Sequence, residues 1–203
     1  MTLLKNVQAA LQRHGYFAEQ ADEDLFDVLK NDLAESDVFD LQNTWRNDWK
    51  SELRATLDNA EALIAVHSPV HSGVAVFGAS RGPEQSAQMW LLQSVSFSQS
   101  AEHAQGAAWA LKAVEMSRQV VALFRDEFGT VFNFKNQNQH RSIKWLQMCG
   151  FEFYRRNDVL CDTLFFGLGP LTPHLANTPA FWQSYLGASL QNNPNEEVLE
   201  IAR

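Results

Sequence analysis

Along the first sixty residues the apolar positions recur three and four apart. Leu3, Leu4, Val7, Ala10 and Leu11 share one face of a helix expected over 3–13, closed by Gly15. A second helix, expected over 22–33, buries Leu25, Phe26, Val28, Leu29 and Leu33, and gathers acids in its first turn, where the helix dipole favours them. A third, over 43–59, aligns Trp45, Trp49, Leu53 and Leu57. The front of the chain is therefore predicted to be helical.

At residue 62 the pattern changes. Two β-rich runs, 62–67 and 73–78, flank a turn that contains Pro69, and read as a hairpin. The run QMWLLQSVSF, 88–97, is a further strand. A long helix follows up to Gly129, with Ala107, Trp109, Ala110, Leu111, Val114, Val120, Val121 and Leu123 on or near its buried side. Strand 130–134, a polar corner, a short helix over 142–148, strand 151–155 and strand 162–169 complete the pattern. Phe181, Trp182, Tyr185 and Leu186 would dock part of the remaining segment as a helix. The fold class implied is α/β (α+β): one domain over 1–170, with a helical front (1–60) and a sheet core (61–170), then an extension over 171–203.

Composition narrows the possibilities. With 203 residues, 45% hydrophobic and 20% charged, the chain has material for one ordinary core. No apolar run is long enough to span a membrane, and no basic-then-apolar leader begins the chain, so secretion by signal peptide is not expected. Residues 1–61 carry thirteen acids against six bases, most of the net charge of −8, which suits a solvated helix face or a basic partner. No basic stripe interleaved with aromatics points to nucleic acid. Cys149 and Cys161 lie in apolar surroundings without metal-type spacing and read as buried free thiols; no metal site is expected. His67, His71, His103 and His140, with Glu84 and Glu102, are loop candidates for acid–base work, but no hydrolase or metalloprotease motif accompanies them.

The segment RSIKWLQMCGFEF, 141–153, with the strand, long helix, strand, short helix and Gly-Phe order around it, resembles the GNAT (N-acetyltransferase) superfamily over roughly residues 60–167. That resemblance implies a mixed, mostly antiparallel sheet that splits between the strand at 89–97 and the strand at 130–134, with acetyl-CoA in the gap. It also implies a pyrophosphate-binding turn at the start of the long helix. The nearest match is His103-Ala104-Gln105-Gly106-Ala107-Ala108, where Gly106 and Ala108 fit and His103 replaces the usual Gln or Arg. Val95, Gln105, Gly106, Ala107, Ala108 and Asn138 would then contact the cofactor. The family's tyrosine, which protonates the leaving thiolate, falls on Leu146, which has no proton to give. His140 is the candidate substitute.

A narrower resemblance, carried by Ser142-Ile143-Lys144-Trp145-Leu146 before the Gly-Phe, is to GNAT-like proteins encoded among tailed-phage virion genes. It implies a noncatalytic structural or assembly protein in the host cytoplasm or the particle, needing no cofactor and contacting other virion proteins. Arg141, Lys144, Trp145 and Trp182 are its candidate contacts. The alternative is an acetyl-CoA-dependent N-acetyltransferase with a degenerate turn; a CoA-sensing module is a third. In the polar corner, Ser142 or Asn138 is expected to cap the short helix. Trp145 is open to two roles, core residue or cleft wall.

Overall fold

The computed structural model describes residues 2–21, 24–45, 48–67, 73–97, 106–156, 162–186 and 198–201. Four helices occupy most of the front: α1 (Thr2–Gln12), α2 (Asp24–Asp32), α3 (Glu35–Trp45) and α4 (Trp49–Asp58). The single helix expected over 43–59 is two. Asp48 breaks it, its carboxylate accepting the amides of Lys50 (3.4 Å) and Ser51 (3.3 Å) as an N-cap for α4. α3 itself was not anticipated, and neither was a strand after α1.

That strand, β1 (Phe17–Gln20), edges an eight-stranded sheet with β2 (Ala62–His67), β3 (Val74–Arg81), β4 (Ser86–Gln93), β5 (Thr130–Asn136), β6 (Glu152–Arg156), β7 (Thr163–Leu168) and β8 (Val198–Ile201). The spatial order is β1-β2-β3-β4-β5-β7-β6-β8. The expected hairpin is present, with His67 opposite Val74; its turn, with Pro69 and His71, lies outside the described residues. Every neighbouring pair is antiparallel except β4–β5, which is parallel and registers only Ser86–Gln88 against Thr130–Phe132. Beyond Gln88 the two strands part, since β3 holds β4 on one side and β7 holds β5 on the other. The split expected from the GNAT resemblance is therefore present, and it opens one residue pair beyond Gln88–Phe132.

Alternation along the strands divides the core. Ala87 and Met89 of β4 join Phe77, Val131 and Phe166 under α1 and the long helix α5 (Gly106–Phe128), with α6 (His140–Met148) completing that face. Val74, Val76 and Leu92 point the other way, against Leu25, Leu29 and Leu53 of α2 and α4. On the same side of the sheet but beyond the split, Phe132, Phe134 and Phe165 meet α7 (Thr172–Asn177) and α8 (Pro179–Leu186).

Residues 171–182 thus pack onto the sheet. Trp182, expected as a contact for a partner, is fully buried. Its ring lies 5.2 Å from that of Phe134 and 6.0 Å from that of Phe165, and its indole N–H donates to the Ala176 carbonyl (2.9 Å). Burial of so large an apolar ring outweighs anything it would gain at the surface. Val198–Ile201 then pairs with β6 as the far edge strand.

Candidate functional site

Where β4 and β5 part, a side chain takes over from the ladder. Asn133 donates its amide to the Met89 carbonyl (2.8 Å), while its oxygen accepts from Gln88 Nε2 (3.1 Å) and from the Phe134 amide (2.7 Å). Past this point a cleft of about 720 Å³ passes through the sheet. On the α5–α6 side its wall is mostly apolar, with Met116, Val121, Trp145 and Leu146, and Ser117, Arg141 and Ser142 beside them; on the other side α3 and α4 contribute polar groups.

The exposed edge of β4 is specific in its hydrogen bonding. Ser94 donates its amide to the Val74 carbonyl (2.9 Å), and the Gly82 amide donates to the Ser86 carbonyl (2.9 Å). Even-numbered residues therefore turn their backbone groups to β3, and Met89, Leu91 and Gln93 turn theirs to the split. The Met89 carbonyl is taken by Asn133. At Gln93 the amide donates to Asp37 Oδ2 (2.7 Å), and the carbonyl accepts from the Ala34 amide (2.8 Å). Leu91 lies between them, and neither its amide nor its carbonyl has a partner among the described residues.

α3 crosses the open end of the split. Through Asp37 and Ala34 it is tied to β4. Through Asp40 it reaches the other arm, where the carboxylate pairs with Lys135 of β5 and accepts from the Gln139 amide. Burial on this wall raises the Asp37 carboxyl to about 6, against the opposing pull of Lys135 and the Gln93 amide. Asp40 is raised as well, again mainly by burial and in spite of Lys135. Neither acid was singled out in the sequence, because their partners lie far along the chain.

The corner before α6 departs from expectation. The helix begins at His140 with Gln139 as N-cap, and no side chain caps it. Ser142, inside the helix, donates to Gln139 Oε1 (3.4 Å), and the Asn138 amide donates to Asn136 Oδ1 (2.9 Å). Neither expected cap forms, because the helix starts at His140, which puts Ser142 inside it and Asn138 one residue ahead of the N-cap, while the Gln139 side-chain amide goes to Asp40. His140 is exposed at the first helical position and does not line the cleft. Asn138 and Lys144 are exposed; Arg141 is exposed at the cleft margin. Trp145 fills both roles left open for it, packing on the core and lining the cleft, with the buried Leu146 beside it.

Val95 begins a helical stretch, described over 95–97, just past the end of β4, and is partly buried and off the cleft wall. Gly106 opens α5, and Ala107 and Ala108 follow in its first turn; His103 and Gln105, with Glu102, fall outside the described residues. Cys149 is buried, its thiol pushed up to about 12 by burial, which leaves it inert as a nucleophile; Cys161 is outside the described residues. His67 faces Glu19 (3.0 Å) on the surface, and Glu84 faces His174 (3.6 Å), both away from the cleft. Among the described residues no group of acids, histidines and cysteines is arranged to hold a metal, and no helix is long and apolar enough to cross a membrane.

No protein-family model matches the chain, and no curated protein matches it. Solved structures to which it is similar include an acetyltransferase from Bacillus subtilis in complex with CoA, at 11% identity over 77% of this chain and 98% of that one (TM-score 0.45). Others are an N-acetyltransferase from Staphylococcus aureus, at 16% over 76% and 98% (TM-score 0.46), and spermidine N-acetyltransferase from Vibrio cholerae in complex with CoA and spermine, at 11% over 75% and 94% (TM-score 0.46). Nothing in these likenesses connects the chain to phage particles. At such scores they decide nothing about chemistry, which rests on the cleft itself.

Proposed function

We propose that the cleft binds an acyl-CoA thioester and that the protein transfers its acyl group to an amine. The observation that supports this best is the edge of β4 at Leu91. An amide and a carbonyl on an unpaired strand edge are a template for an extended, amide-bearing chain, and the pantetheine arm of CoA is such a chain. The apolar wall of Met116, Val121, Trp145 and Leu146 suits the thioester end of that arm.

The transfer requires that the amine nitrogen form a bond to the acyl carbon, that the carbon–sulfur bond break with its electron pair leaving on sulfur, and that the amine shed a proton. Asp37 is the candidate base: it lines the cleft, and a carboxyl raised to about 6 is ionised at neutral pH yet more basic than an ordinary aspartate. Leu146 gives the sulfur no proton. The thiolate therefore leaves as such, which an ordinary thiol pKa of about 8.5 tolerates. Leu146 is also the observation that favours a second reading, in which CoA binds without turnover.

Calorimetric titration with acetyl-CoA and CoA tests the proposal, followed by a thiol-release assay over a panel of amines. Binding in the micromolar range with thiol release is expected. Binding without release would leave the sensing role, and no heat up to millimolar ligand would overturn both.

A further inference from the structure

On the α3–α4 side, the cleft floor is formed by Trp90, with Ser80 and Gln88 beside it and Thr56 of α4 above. The indole lies across Gly78 of the neighbouring strand, where a Cβ would come within 2.2 Å of ring atoms, so only glycine admits this placement. Trp90 Nε1 is buried and has no hydrogen-bond partner among the described residues. A buried donor without an acceptor is rare in folded proteins, because the hydration it loses is not returned. Trp90 lines the cleft, so a ligand that brings an acceptor and shifts the ring edge enough to reach Nε1 would satisfy it.

The chemistry of that ligand is constrained from two sides. A donor is satisfied only by an acceptor, so a plain alkylamine or polyamine, whose ammonium groups only donate, leaves Trp90 unpaired. A carboxylate would satisfy it, but on this wall Lys135 already answers two acids, Asp40 in an ion pair and Asp37 through space, so a third carboxylate there would be uncompensated. A neutral oxygen meets both conditions. Resting on the acyl-transfer reading above, we propose that this lobe is the acceptor subsite, and that the amine it takes carries a neutral carbonyl oxygen, as an amino-acid amide or a peptide N-terminus does, held by Trp90 Nε1.

The test has two arms. In the first, the full-length protein with ¹⁵N-labelled tryptophan is titrated with glycinamide and, separately, with propylamine, without CoA. The Trp90 indole proton is expected to move downfield with glycinamide and to stay in place with propylamine. An indole unmoved by both, exchanging only with water, would overturn the subsite. In the second, kcat/KM for glycinamide relative to propylamine is compared between the wild type and Trp90→Phe. A site built to hydrogen-bond its substrate rejects the analogue that lacks the group, so the ratio is expected to fall at least about tenfold in the variant. An unchanged ratio would overturn the assignment. If no amine is acylated but the indole still answers glycinamide, the subsite stands and the transferase reading falls, so the two failures are distinguishable. The first arm needs no variant, and remains decisive should Trp90→Phe fold poorly.

Discussion

The side-chain amide of Asn133 donates to the backbone carbonyl of Met89 across the point where β4 and β5 separate (2.8 Å). One polar side chain thus closes the last rung of the ladder and starts the cleft. Its oxygen accepts from two further donors, so both ends of the amide are engaged.

Asn133→Ala would leave the Met89 carbonyl and the Gln88 amide without partners in a partly buried place. A loss of about 1–3 kcal/mol is expected in urea unfolding, with a larger change in cleft-bound ligand affinity than in any probe of the α1–α5 face. An Asn133→Ala protein of unchanged stability would show that water replaces the amide at no cost.

Asp37 links stability to pH in a stated direction. Its folded-state pKa lies above its ordinary value, so its contribution to stability is full at low pH and is lost as pH rises through about 6. Asp37→Asn keeps an acceptor for the Gln93 amide and removes the charge. The variant is expected to be more stable than the wild type by about 1–2 kcal/mol at pH 7.5, after allowance for partial exposure, and equal to it near pH 4. Urea midpoints at the two pH values measure this. In acyl transfer the same variant should lose the acid limb near pH 6 of the rate profile; a limb that persists would remove Asp37 as the base.

Lys135→Met removes the cation that opposes the burial of both acids. Asp40 is then left without its ion-pair partner, and a destabilisation of about 2 kcal/mol is expected above pH 7, shrinking in acid as the carboxyl takes up a proton. Carboxyl carbon chemical shifts should show Asp37 titrating higher than in the wild type. A downward move would mean that Lys135 does not act on Asp37.

Leu146→Tyr supplies a phenol where the chain has none. Leu146 is buried against the core, so a larger ring there should cost about 1–2 kcal/mol of stability. If the cleft transfers acyl groups, thiol release should rise about tenfold or more, because the leaving sulfur then receives a proton. A stable variant with no gain would mean that sulfur departure is not the slow step.

Much of the sheet was legible in the sequence, because its strands alternate strongly or run apolar throughout. β2 was bounded to the residue, and the glycines expected to stop α5 and α6 do so with φ of +82° at Gly129 and +98° at Gly150, where a side chain would be strained. β1 escaped because four residues with only Ala18 buried carry almost no periodic signal. α3 escaped because, among its described side chains, Leu41 alone is buried, and what fixes it is polar and distant. Asp40 meets Lys135 ninety-five positions along the chain. Sequence spacing reports faces of single elements; it is silent on which carboxylate will meet which lysine. The same silence hid Trp90 Nε1, since an unpaired donor is defined by everything around it.

The two attachments of α3 are unequal in kind. On the β4 side it is held through main chain, by the Ala34 amide on Gln93 and the Asp37 carboxylate on the same residue. On the β5 side what the strand and corner offer is side chain: Lys135 and Gln139 reach Asp40, and Gln139 Nε2 also donates to the Ser36 carbonyl (3.5 Å). The Ala34–Gln93 hydrogen bond has no titratable or charged member, whereas both partners of the Asp40–Lys135 pair are ionic, so salt weakens the β5 attachment and leaves that bond as it is. The strand that carries Leu91 and Trp90 therefore keeps its tie to α3 under conditions that loosen the other arm of the cleft.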